Sequence, residues 1–293
     1  MSGFLHHANA SVPAMPKNAV RRKGSPELLA AALSHRGLLV VASLGYGKTT
    51  LVSEWAEILA SEQEGSPEIV DAALRYVSLL GFAERSAESL CEAMLASLAD
   101  EGKNHPGFGC CEGEDPHGCL VDALRSMPEK TVICIDDCDL LAEDAIRVLE
   151  GLFLGTPSSV HWVLLCGEEP PFPLSRMLAA GMIAVAGEPD LAFTSEESSA
   201  FIRSLPGYAH PTEEEEAEIC RLAEGWPLAL RELGAHRAPN GDGVARLAHG
   251  PATPSLERIF EDALQPVPDD LRLFLVSSSV YNRLCAATVQ DPS

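Results

Sequence analysis

Residues 37–60, GLLVVASLGYGKTTLVSEWAEILA, decide how this chain is read. The first half is a run of leucine and β-branched valine without polar alternation, the pattern of a short strand buried on both faces. From Thr49 onward, Leu51, Trp55, Ile58 and Leu59 fall at helical spacing. Between the two lies Gly45-Tyr46-Gly47-Lys48-Thr49-Thr50. The pattern Gly-x4-Gly-Lys-[Ser/Thr] of a phosphate-binding loop is met at every position but the first, where Ala42 stands. That first position shapes the turn more than it meets a ligand. A glycine-rich strand-to-helix turn with an unrelated lysine is the plainer alternative, and the strand before and helix after favour the phosphate loop.

Each residue type in the loop has a reason. Gly45 and Gly47 let backbone N–H groups turn inward around phosphates where a side chain would block the approach. The helix that follows adds its positive N-terminal end. Lys48 is placed to bridge the β- and γ-phosphates, and the Thr49 hydroxyl to meet Mg²⁺. Further along, Thr131-Val-Ile-Cys-Ile-Asp-Asp137 is a buried-strand run ending in two carboxylates. It fits a Walker B strand, whose first acid, Asp136, would hold Mg²⁺ and whose second, Asp137, would orient an attacking water. An apolar strand running into acids is common by itself. With the glycine loop upstream, both motifs fall at the carboxyl ends of sheet strands, where open α/β sheets bind ligands.

Outward from this centre, strands are expected at 74–80, 160–166 and 183–186. Helices are expected at 28–33, 86–98, 120–127 and 142–153. Alternating strands and helices predict an α/β fold with a mostly parallel sheet and helices on both faces. Past Leu191 the character changes. Thr194-Ser-Glu-Glu197 and Thr212-Glu-Glu-Glu215 are capping boxes that each open a helix. Glu224-Gly-Trp-Pro227 then reads as a helix stop followed by a rigid turn. Residues 256–264 and 269–280 have the pattern of two more amphipathic helices. The expected division is a flexible tail at 1–18, a phosphate-loop domain at 19–190, a small helical domain plus linker at 191–250, and a further helical segment at 251–293.

Composition narrows the function classes. The 293 residues carry 43 Asp plus Glu against 21 Lys plus Arg, a formal charge of −22. Such a chain repels nucleic acid and anionic membrane, so no direct DNA binding by these residues is expected. No apolar run approaches the roughly 20 residues of a spanning helix, and no signal peptide is read at the start. Nine cysteines without that signal indicate reduced thiols and a cytoplasmic location. Cys110, Cys111, His117 and Cys119 match no common zinc spacing and read as part of a solvated loop. The Glu213–Glu216 run reads as a solvated helix face and dipole partner.

Taken in order, LVVASLGYGKTTLVSEW, ICIDDCDLL, VLLCGEEPPFPLSRMLAAG, DLAFTSEESSAFI, AEGWPLAL and DDLRLFLVSSSVYNRLCAATV resemble the MalT-like, LuxR-type large ATP-binding transcription regulators. These belong to the signal-transduction ATPases with numerous domains (the STAND class), and the resemblance spans about residues 19–290. It implies a P-loop nucleotide-binding domain, a small helical domain and a winged-helix domain, the last cut short here. In such proteins ADP holds a closed monomer, and ATP exchange allows self-assembly. By the resemblance, Gly45, Tyr46, Gly47, Lys48, Thr49 and Thr50 surround the nucleotide phosphates. Thr49 and Asp136 hold Mg²⁺, and Asp137 is the catalytic Walker B carboxylate that orients the attacking water. Pro227 falls on the Gly-x-Pro motif that packs on adenine, and Arg22, or its neighbour Arg21, lies where the loop before the first helix nears the nucleotide.

The departures concern turnover. The family's Pro-Ala before the inner glycine is Ser43-Leu44 here, and its arginine after the fourth strand, which senses the γ-phosphate, is replaced by Gly167. The reading is an ATP/ADP-binding switch module with slow or absent hydrolysis. The alternatives are a free-standing P-loop ATPase or phosphotransferase, and a degenerate nucleotide-binding scaffold.

Overall fold

In a computed structural model, residues 11–61, 72–80, 82, 84–98, 115–127, 130–170, 174–206, 212–235 and 267–278 are described. They begin with α1 (Ser25–Ser34), β1 (Gly37–Val41), α2 (Lys48–Ala60) and β2 (Ala72–Ser78), then α3 (Ala87–Leu98) and α4 (Pro116–Arg125). β3 (Lys130–Asp136), α5 (Glu143–Gly155), β4 (Val160–Cys166), α6 (Leu174–Ala179), β5 (Ile183–Ala186) and α7 (Glu188–Leu191) complete the α/β part. Then come α8 (Ser195–Ser204), α9 (Glu213–Ala223), α10 (Pro227–Ala235) and α11 (Asp269–Ser278).

The five strands form one sheet in the order β2-β3-β4-β1-β5, and every neighbouring pair is parallel. Parallel pairing demands crossovers, and the intervening helices supply them on both faces. The strands show why. Leu39, Ile133, Ile135, Trp162 and Leu164 enter the core formed with α3, α4 and α5. Their immediate neighbours Leu38, Val40, Val132, Cys134, Val163 and Leu165 enter a second core with α1 and α2. Period-two alternation with both faces apolar is what a central strand sandwiched between helices requires. β4 carries this furthest, with all seven residues buried.

The order differs from the chain sequence in a way that matters. β4 lies between β1 and β3, so the loop after β1 and the acids after β3 stand on either side of β4's end. Two helices, α3 and α4, fill the stretch between β2 and β3, as the patterns at 86–98 and 120–127 led one to expect. Elsewhere the strand and helix expectations agree with the structure within a few residues, and 160–166 and 183–186 coincide with β4 and β5.

Helices α8–α10 have their own apolar centre, made of Phe193, Ile202, Leu205, Ile219, Ala223 and Leu230. Both capping boxes form. Thr194 accepts from the Glu197 amide and Thr212 from the Glu215 amide, and each Glu side chain returns the bond. Glu224 ends α9 with φ 49°, and Pro227 opens α10 instead of forming only a turn, using its fixed φ at the first helical position. The expected helix at 256–264 and the pair Cys110–Cys111 lie outside the described residues. The helix expected at 269–280 is α11. Among the described residues no group of His, Cys, Asp and Glu could hold a metal by itself, and no helix is long and apolar enough to cross a membrane.

Candidate functional site

A cleft of about 510 Å³ opens between the carboxyl edge of the sheet and helices α8–α10. That size suits a small-molecule ligand. Its floor is the loop after β1 with Lys48, Thr49 and Thr50, one side carries Asp136 and Asp137, and the far wall is apolar. Of the candidate site residues, Gly45, Gly47, Lys48, Thr49, Thr50, Asp136, Asp137, Pro227 and Arg22 all line this cleft, whereas Tyr46 does not and stacks on Trp226 instead.

The loop has the geometry its glycines predict. Gly45 and Gly47 have φ of 86° and 77°, the left-handed region that side chains disfavour. Space is as restrictive as torsion. A Cβ on Gly47 would lie 2.5 Å from the Arg22 guanidinium, and one on Gly45 would lie 2.4 Å from Leu228 Cβ. Gly47 is also the N-cap of α2, and it offers no side chain to the first amides of that helix. Those amides have no intrahelical acceptor, so they are left to face an anion. Lys48 stretches back along the loop, with its Nζ donating to the carbonyls of Ala42 (2.5 Å) and Ser43 (3.4 Å).

Opposite, the Thr49 hydroxyl donates to Asp136 Oδ2 at 2.6 Å. An adjacent hydroxyl and carboxylate form a hard oxygen pair, the donor set that suits Mg²⁺. The residues present therefore fit a magnesium-bound polyphosphate. Asp136 is further tied by the Tyr76 hydroxyl to Oδ2 (2.9 Å) and by the Asp137 amide to Oδ1 (3.0 Å). Asp137 has φ 62° and accepts from Ser78 Oγ at 3.2 Å. Burial, reinforced by the neighbouring Asp136 charge, raises its carboxyl pKa above the usual range.

Arg22 lines the cleft but its nitrogens are engaged. NH1 donates to Glu54 Oε1 at 2.7 Å, NH2 to the Tyr46 carbonyl at 2.8 Å and Nε to the Leu191 carbonyl at 3.1 Å. It props the glycine loop from behind. Arg21, its neighbour, is exposed and paired with Glu57. Tyr46 turns its ring to Trp226, centroids 6.1 Å apart and nearly parallel, while Trp226 Nε1 donates to the Leu44 carbonyl at 3.1 Å. The segment opening α10 thus rests directly on the loop.

Several contributors have no motif to announce them. Phe193, Phe201 and Leu205 join Pro227 and Leu228 in the apolar wall, with Phe193 and Phe201 edge to face at 5.5 Å. Glu188, at the start of α7, accepts from the Ser43 amide (3.1 Å) and hydroxyl (2.5 Å), and those bonds hold its carboxyl below the usual range. After β4, the Gly167 amide donates to Asp139 Oδ1 at 2.9 Å, so a carboxylate stands at the end of the strand between the two motifs.

Over 98% of its length the chain is 25% identical to the HTH-type transcriptional regulator MalT of Serratia proteamaculans (strain 568). The chain is similar to MalT along nearly its whole length. It is also 23% identical, over 93% of its length, to the serine/threonine-protein kinase PknK of Mycobacterium tuberculosis (strain ATCC 25618 / H37Rv). It spans about a third of the MalT relative (32%) and a quarter of PknK (25%). No protein-family model matches it. Among solved structures, the Walker-type ATPase of Pyrococcus abyssi superposes with a TM-score of 0.52 at 13% identity, covering 92% of this chain and 79% of that one. The MalT-like chain has the fold of a P-loop ATPase.

Proposed function

We propose that this chain is the nucleotide-binding switch module of a signal-responsive, cytoplasmic transcription regulator. It binds ATP or ADP with Mg²⁺, turns ATP over slowly or not at all, and leaves DNA contact to other parts of its protein. The observation that carries the reading is the convergence of the Gly45–Thr50 loop, the Thr49–Asp136 pair and the Pro227 wall on one cleft. The similarity to MalT supports the regulatory setting.

In this reading the residues divide the ligand among them. The amides of the loop and the first turn of α2 receive the phosphates, with Lys48 moving from its own loop carbonyls to the β- and γ-oxygens. Thr49 and Asp136 would hold Mg²⁺, which supplies charge neutralisation between the phosphates. Pro227, Phe193 and Phe201 form the apolar slot for the base, and Asp137 is placed to orient a water at the terminal phosphate. Arg22 acts indirectly, by bracing Gly47 and the Tyr46 carbonyl. Because Trp226 and Leu228 sit on the loop, phosphate occupancy and the position of α8–α10 are coupled mechanically, and the ATP state favours self-association.

The test is Lys48→Ala with labelled ADP and ATP. The variant is expected to lose most affinity for both; binding as tight as the parent's would end the assignment. The Gly167–Asp139 contact favours a second reading, a scaffold that binds nucleotide without answering the γ-phosphate. Equal affinities and equal oligomeric states with ADP and ATP would select it. Turnover at about 1 s⁻¹ or faster, the usual enzyme range, would instead select a dedicated ATPase or phosphotransferase.

A further inference from the structure

Asp136 is served by a group that no phosphate-loop pattern contains. Tyr76 sits near the end of β2, two register steps before the Ser78–Asp136 pair, and its ring is buried at 4% exposure among Leu51, Val132 and Cys134. Its hydroxyl donates to Asp136 Oδ2 at 2.9 Å, the same oxygen that takes the Thr49 hydroxyl at 2.6 Å. The other oxygen, Oδ1, takes the Asp137 amide at 3.0 Å. Donors from β2, from α2 and from the turn after β3 thus converge on one carboxylate. Tyr76 is not part of the cleft lining, so it stands behind Asp136 and away from any ligand.

We infer that Tyr76 is a positioning residue for the magnesium-holding carboxylate. The inference rests on the nucleotide reading above and adds a residue to it. Thr49 would meet a metal through its hydroxyl oxygen, and its proton can still be donated to Oδ2. Tyr76 and the Asp137 amide are the two donors with no metal of their own to serve, and between them they fix the plane of the carboxylate. Tyr76 is the only one of the pair that substitution can delete without touching the backbone. Outer partners of this kind fix ligand orientation, and their loss costs about 10–100-fold in metal affinity. A phenol suits the position because its rigid ring is clamped by the core, so the hydroxyl cannot follow the carboxylate if it rotates.

The experiment uses the full chain and Tyr76→Phe, which keeps the ring and its volume. ADP affinity is measured in Mg²⁺ titrations and again in EDTA, with thermal unfolding as a check on folding. The expected result is a Mg²⁺ affinity about tenfold or more weaker, with ADP affinity in EDTA unchanged. An unaltered Mg²⁺ titration overturns the inference. So does an equal loss in Mg²⁺ and in EDTA, which would mark Tyr76 as packing alone. Asp136→Asn serves as the reference, since it should erase the Mg²⁺-dependent gain outright. If the parent binds no ADP, the nucleotide reading itself fails. If it binds ADP with a Mg²⁺ gain that Tyr76→Phe leaves intact, only the positioning role fails.

Discussion

Arg22 and Glu54 form an ion pair at 2.7 Å in which both side chains are almost wholly out of water, 4% and 1% exposed. Burial works against both charges, lowering the arginine pKa and raising the glutamate pKa, while each partner offsets part of the other's cost. The pair joins the segment before α1 to the middle of α2, and the remaining guanidinium nitrogens hold the Tyr46 and Leu191 carbonyls. Glu54→Ala would leave that guanidinium buried and unpaired. A stability loss of about 3–5 kcal/mol is expected, read by denaturant unfolding. Arg22→Ala should cost a similar amount and the double variant clearly less than the sum; simple additivity would mean the two do not act as a unit.

Gly47→Ala should be far more damaging than an ordinary loop substitution. At φ 77° an alanine is strained, and its methyl would meet Arg22 NH2 at 2.5 Å. We expect about 1–3 kcal/mol of destabilisation together with loss of ADP binding. A melting temperature and an ADP affinity equal to the parent's would show that the loop relaxes freely.

Asp137 makes a contribution to the pH dependence whose sign is fixed by its surroundings. Its folded-state pKa lies above the unfolded value of about 3.9, so the folded protein holds that proton more tightly. Its contribution is therefore greatest below pH about 4 and is lost as pH rises through the raised pKa. Asp137→Asn should then melt higher than the parent near neutral pH, in the absence of nucleotide, with the gap closing in acid. A gap that widens in acid would contradict the sign.

Trp226 should report on the loop. Trp226→Phe keeps an aromatic ring against Tyr46 but removes the N–H that binds the Leu44 carbonyl. A cost of about 0.5–1.5 kcal/mol is expected. In the parent, ADP should change tryptophan emission, and most of that change should vanish in the variant; an unchanged response would place its origin at Trp55 or Trp162.

Gly167→Arg tests the scaffold reading. The new side chain would start about 3.4 Å from Asp139 Oδ2, so an ion pair with Asp139 competes with any phosphate contact. Under that reading the parent assembles no further with ATP than with ADP, and ATP-dependent assembly should appear only when Asp139→Asn is added to Gly167→Arg. Assembly with Gly167→Arg alone would show that Asp139 is no obstacle.

Much of the fold was legible because its signals are local. Buried strands announce themselves as unbroken apolar runs, Thr194 and Thr212 carry their cap partners three residues on, and Gly45, Gly47 and Lys48 state their backbone needs within one turn. The strand order was not legible. Nothing in 160–166 says that β4 lies between β1 and β3, because a strand apolar on both faces fits any central place in a sheet.

What the amino-acid sequence determined alone was therefore the kind of chemistry: a glycine-shaped loop that accepts an anion, a lysine, a threonine and an acid pair. Tertiary structure alone decided who supports them. Glu188 reaches Ser43 across 145 residues, Tyr76 reaches Asp136 across 60, and Arg22 reaches Glu54 across 32. Short-range patterns record torsion and periodicity, which each residue carries with it. A buried hydroxyl or guanidinium acquires its partner only when distant segments pack together, so its meaning is a property of the folded chain.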